Sequence, residues 1–128
     1  MLMIHMRVIP ANCQVALIVP DATEDPPGWP TGHELVVANS GTIYVSTICE
    51  RGGEVEIKAW WGTFPDELER QEPLYDGILE VRDAGVLVGS YMGAHLGHAN
   101  MLREGKHRVR VYTDPPGPEP VRVSFVID

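Results

Sequence analysis

Two histidines three residues apart, His95 and His98, are the nearest thing in this chain to a metal-binding pair. On a helix that spacing puts both imidazoles on one face, and imidazole suits zinc, copper or nickel. A third ligand would have to come from Glu104 or His107, the candidates close by in sequence. The plainer reading makes His95 and His98 polar residues of a glycine-dotted loop. His107 falls on the apolar side of its own strand and reads as a hydrogen-bonded core histidine. No metal and no other cofactor is therefore expected. The two cysteines, Cys13 and Cys49, allow a disulfide, or a nucleophile paired with one of five histidines. Neither stands in a Cys-x-x-Cys or catalytic signature, so they read as a pair of buried core thiols. The phosphate loop, the dinucleotide glycine fingerprint, the nucleophile elbow and the His-Glu-x-x-His zinc helix are all missing. No catalytic residue is assigned. A small enzyme or metal-dependent protein using His95, His98 and His107 stays the alternative.

Aromatic and charged residues offer binding chemistry instead. Trp60 and Trp61 are adjacent, so on a strand they point to opposite faces. The parity of Val55, Ile57 and Ala59 sends Trp61 inward and Trp60 outward. An outward tryptophan is either a platform for a sugar or partner protein, or a side chain covered by the loop that follows it. Trp29 lies among prolines, where it pins its loop to the body or meets a partner. From Asp66 to Glu80 six acids (Asp66, Glu67, Glu69, Glu72, Asp76, Glu80) face one base, Arg70. Such a run is a solvated loop or a surface for a basic partner, such as the positive groove of a nuclease. Arg103, Lys106, Arg108 and Arg110 form a basic counterpart interrupted by one acid, Glu104.

The elements that must hold these residues are strands. A chain of 128 residues is one domain, and 44% hydrophobic residues suffice for a core. Period-two alternation runs through Leu2–Ile9, Glu54–Ala59, Lys106–Tyr112 and Val121–Ile127. Cys13 to Val19 is apolar on both faces, as in a central strand. The proline-rich stretch from Pro20 to Gly32 must be a long surface loop. Asn39-Ser40-Gly41 and Glu50–Gly53 are turns, and Pro65–Arg70 has the makings of one helical turn. Asp83-Ala84-Gly85 reads as a hairpin connection between Gly77–Val81 and Val86–Val88, with a short helix from His95 to Leu102. The expected fold is an all-β, antiparallel two-sheet β-sandwich of about eight strands. Its core should hold Val15, Leu17, Val55, Ile57, Val109, Val111, Val123 and Phe125. In the last hairpin Val111 should face Val121, Val109 face Val123 and Arg110 face Arg122. The arginines would then need outer carboxylates, Glu54, Glu56 or Glu80, to offset their repulsion.

The run Tyr75-Asp76-Gly77-Ile78-Leu79-Glu80-Val81, then Gly85-Val86-Leu87-Val88-Gly89, then Gly105-Lys106-His107-Arg108-Val109-Arg110-Val111-Tyr112 resembles small bacterial β-sandwich proteins of largely uncharacterised function. Its organisation over Val55 to Ile127 also resembles the competence-protein-J-like proteins, acidic inhibitors that bind and silence a partner nuclease. The resemblance implies a non-catalytic binding or regulatory protein of the inhibitor or immunity type, with another protein as partner. Residues expected to meet it are Trp29, Trp60, Asp66, Glu67, Glu69, Glu72, Arg108, Arg110 and Arg122. A net charge of -8, from 18 acids and 10 bases, argues against phosphate-driven nucleic-acid binding. No apolar run is long enough to span a membrane, and with no secretory signal the expected location is a bacterial cytoplasm. A carbohydrate-binding sandwich built on Trp60 is a further alternative.

Overall fold

The computed structural model describes residues 1–90, 95–100 and 103–128. The strands are β1 (Leu2–Val8), β2 (Gln14–Ile18), β3 (Val36–Ala38), β4 (Thr42–Ser46) and β5 (Val55–Trp61), then β6 (Tyr75–Val81), β7 (Val86–Ser90), β8 (His95–Ala99), β9 (Gly105–Asp114) and β10 (Arg122–Ile127). They form two five-stranded sheets, ordered β1-β5-β10-β9-β6 and β3-β4-β2-β7-β8. The fold is all-β, with ten strands rather than eight. Among the described residues, helix is confined to single 3-10 turns at Ala11–Cys13, Glu50–Gly52 and Asp66–Leu68.

Alternation explains the packing. Val55, Ile57 and Ala59 on β5 meet Val109 and Val111 on β9 and Val123, Phe125 and Ile127 on β10. Leu17, Val15, Ile43, Val45, Val86 and Val88 close the core from the other sheet. All eight core residues named from the sequence are at most 1% exposed, each stabilising by about 1.5–3 kcal/mol relative to exposure. β2 is central in its sheet, with Val15 and Leu17 buried in the core between the sheets and Ala16 buried between half-buried Gln14 and Ile18 on the other face. The segment between β2 and β3 runs over the surface without joining a ladder.

Four expectations are corrected. First, β6 and β7 are not a hairpin: β6 pairs β9 while β7 pairs β2 and β8. The local turn does form, with Gly85 N–H donating to Arg82 O at 2.9 Å and Gly85 at φ +74°. Turn chemistry dictates the bend, but the two strands leave it for different sheets. Second, β8 is a strand where a helix was expected over His95–Leu102; Met101 and Leu102 lie outside the described residues. Third, β10 runs parallel to β5, since strands this distant in sequence carry no hairpin constraint on direction. Fourth, the register of the last hairpin differs. Val111 faces Phe125, Val109 faces Ile127 and Arg122 faces Asp114, because β9 extends through Thr113 and Asp114. An even-numbered slip keeps every side chain on its expected face, so apolar patterning cannot distinguish the two registers.

Candidate functional site

The outer face of the β1-β5-β10-β9-β6 sheet carries a mixed-charge network. Arg122 reaches Glu56 on β5 at 3.2 Å and Asp114 on β9 at 3.1 Å. Arg108 makes a two-pronged pair with Asp76 on β6, at 2.9 and 2.6 Å. Arg110 pairs with Asp128 at 3.1 Å and lies over the Phe64 ring, 4.7 Å from its centroid. The arginines are therefore compensated, although the like-charge pairing expected to demand it is absent, since Arg110 faces Val126 and Arg122 faces Asp114. Of the three carboxylates expected to do this only Glu56 takes part: Glu80 pairs with Arg82 at 3.8 Å, and no ion pair involves Glu54 among the described residues. Hydrogen bonding from His5 and the Arg7 and Lys58 charges hold the Glu56 carboxyl below its ordinary value, against the opposing effect of burial. The Arg108 hydrogen bonds do the same for Asp76 and raise Arg108 in turn.

The loop after β5 lies over this sheet. Leu68, from the 3-10 turn Asp66–Leu68, packs with Tyr112 and Val126, and Trp60 and Phe64 complete this second apolar cluster. Trp60 is thus half-buried beneath its own following loop, with Lys58 5.9 Å from its ring centroid. Trp61 goes inward and meets His107 edge-on at 5.1 Å. His107 sends one ring nitrogen to Asp128 O at 2.8 Å and the other to Arg103 O at 2.7 Å. Trp29 stacks on Tyr44 with centroids 6.4 Å apart, pinning the proline-rich loop to the sandwich.

The same loop carries the acids singled out from the sequence. Glu67 is held by Lys58 at 3.0 Å. Asp66, Glu69 and Glu72 are exposed and have no ion-pair partner among the described residues. Beside them a cleft of about 710 Å³ opens between the loop and the β9–β10 connection, lined by Leu35, Glu72, Pro73, Leu74, Asp114 and Pro116 among others. The sequence signal for this cleft is proline, since Pro73 and Pro116 stand in its two walls.

The helical premise of the His95–His98 pair is corrected. β8 is a strand, so the helical face that would have aligned positions 95 and 98 does not exist. His98 Nε2 instead donates to Ala84 O at 2.6 Å. Among the described residues no three His, Cys, Asp or Glu side chains converge as a metal site. The thiol reading is corrected too: Cys13 and Cys49 form a disulfide. Sequence could not settle this, because the pairing depends on the 3-10 turns at Ala11–Cys13 and Glu50–Gly52 meeting in space. Disulfides persist chiefly in oxidising compartments, which sets this bond against the cytoplasmic location expected from the sequence. No helix among the described residues is long and apolar enough to cross a membrane.

The fold resembles that of ComJ. That protein, from Bacillus subtilis, is an inhibitor of the DNA degrading activity of NucA; its crystal structure matches with a TM-score of 0.69, covering 100% of this chain and 95% of that one at 15% identity. At that identity the likeness is one of fold. It extends the resemblance read over Val55 to Ile127 to the whole chain, including the N-terminal strands and the proline-rich loop. No family model matches the chain, and no curated protein matches it.

Proposed function

We propose that this protein is a non-catalytic inhibitor that binds a nuclease and blocks its active surface. The observation that carries the reading is the end-to-end likeness in fold to an inhibitor of a DNA-degrading enzyme. The charge supports it: nucleases that grip DNA present basic surfaces, and a net charge of -8 accelerates encounter with such a surface. The exposed carboxylates Asp66, Glu69 and Glu72, which have no ion-pair partner among the described residues, are available to that partner.

The test is recovery of the complex from the native lysate at low, non-reducing salt. The reading expects a stoichiometric protein whose DNA-degrading activity appears once high salt dissociates the complex. Adding the purified chain back at equimolar ratio should then suppress that activity. Absence of nuclease activity in the dissociated fraction, or activity untouched by the added chain, overturns the proposal.

A further inference from the structure

Resting on the inhibitor reading, we infer that the cleft between the loop after β5 and the β9–β10 connection is where the partner docks, and that it takes a basic side chain, lysine or arginine, from an extended segment of that partner. The cleft sits at the end of the sandwich where the two sheets meet, because Leu35 comes from the chain entering β3 while Leu74 and Thr113 belong to the opposite sheet's strand ends. Its walls are preformed. Leu74 N–H donates to Val111 O at 2.7 Å and Gln71 N–H to Leu68 O at 3.0 Å. The far wall is tied to the second sheet through Ser46 Oγ to Pro118 O at 3.4 Å and Ile48 N–H to Pro120 O at 3.3 Å. Ser46 N–H fixes Leu35 through its carbonyl at 2.9 Å. Prolines on both walls leave little chain entropy to lose on binding, which is the general route by which preorganised sites gain affinity.

The lining states the occupant's chemistry. Leu35, Pro73, Leu74 and Pro116 offer an apolar wall, and Glu72 and Asp114 stand with them. A lysine or arginine fits that division, its aliphatic stem against the wall and its cationic head among carboxylates. A smaller cleft of about 210 Å³ neighbours the first, sharing Gln71, Thr113 and Asp114 with it. Charges already spent must be subtracted. Glu67 is held by Lys58, and Asp114 shares Arg122 with Glu56. Within the lining Glu72 and Asp114 stand with Arg70, and Asp66 and Glu69 are exposed on the same loop but outside the lining. A second acidic cleft, lined by Asp21, Glu80, Arg82, Asp83 and Glu104, lies at the opposite end of β9. It has charge, but Val81 is its one large apolar side chain and is buried, so it offers no wall for a stem.

The experiment titrates the isotopically labelled, full-length chain with a capped pentapeptide, Arg-Lys-Leu-Arg-Lys, at low salt, reading backbone amide shifts. Shifts should cluster at Gln71, Glu72, Leu74, Thr113, Asp114 and Gly117, and the charge-reversed peptide should produce none there. Glu72→Lys should weaken binding by about fivefold, and Arg70→Glu should tighten it by a similar factor, as expected for one rim ion pair. Glu104→Lys, in the other cleft, should leave it within about twofold. Shifts centred on Asp21, Asp83 and Glu104, shifts scattered over all carboxylates, no shifts at all, or equal affinities for the Glu72→Lys and Arg70→Glu variants would each overturn the inference. The peptide titration needs no nuclease. A chain that suppresses nuclease activity yet fails here refutes the groove and keeps the inhibitor role, and the reverse result refutes the role alone.

Discussion

Removing the Cys13–Cys49 disulfide tests the architecture most directly. The cysteines are 36 residues apart, and the bond ties the start of β2 to the turn after β4. Treating the cross-link as a restriction on the unfolded chain gives an entropy of about 13 cal/mol/K for a loop of this length, which is about 4 kcal/mol at room temperature. Backbone bonds near the bridge, such as Thr47 N–H to Cys13 O at 2.8 Å, hold the native state without it but do nothing to the unfolded one. Cys13→Ser combined with Cys49→Ser should therefore lower the free energy of unfolding by about 2–4 kcal/mol, the range seen when native disulfides are lost. A second variant separates the bridge from its backbone. Asn12 and Cys13 both occupy the left-handed region, at φ 56° and 58°, which costs a non-glycine residue about 1–2 kcal/mol. Cys13→Gly with Cys49→Ser should recover about 1 kcal/mol of the loss, since glycine adopts this conformation freely. Urea unfolding followed by tryptophan emission measures both, with the oxidised wild type as reference. A serine pair that unfolds at the wild-type urea concentration would refute the reasoning, as would two titratable thiols in the native, unreduced chain.

Three further outcomes are expected. Phe125→Ala, at a fully buried position where both sheets meet, should cost about 3–5 kcal/mol in the same urea assay; a cost below about 1 kcal/mol would mean the core is not packed as described. Gly85→Ala should cost about 2–4 kcal/mol, because it combines a positive φ with a β-carbon driven against the Ala99 carbonyl; Asp83→Ala in the same turn is the neutral comparison. Stability should fall on acidification: the Glu56 and Asp76 carboxyls are held below their ordinary values of 4.5 and 3.8, so their contribution is complete above those values and is lost as pH falls through the depressed ones. Arg108→Gln should flatten the part of that decline owed to Asp76, read as urea midpoints from neutral pH down to the acid limit of the fold.

The residues of this chain dictate their own strands and burial. Alternation in Val55–Ala59 and Val109–Val111 is a local property, since successive side chains on a strand must face opposite sides, and it was enough to place the core and to send Trp61 inward. Proline and glycine likewise mark the surface loops by rules that act within a few residues. The resemblance to the competence-protein-J-like proteins was carried by three such strand-and-turn runs in the C-terminal half. Pairing between distant strands follows no such local rule. The Asp83-Ala84-Gly85 turn looks the same whether its strands pair with each other or part into different sheets, and tertiary packing sent β6 to β9 and β7 to β2. Arg122 finds Asp114 and Glu56, rather than Arg110, because β9 runs two residues further than its apolar pattern requires. The disulfide and the groove beside Glu72 arise in the same way. Each joins segments whose separation in sequence is large, and an even slip or an exchange of partners would leave every local signal unchanged.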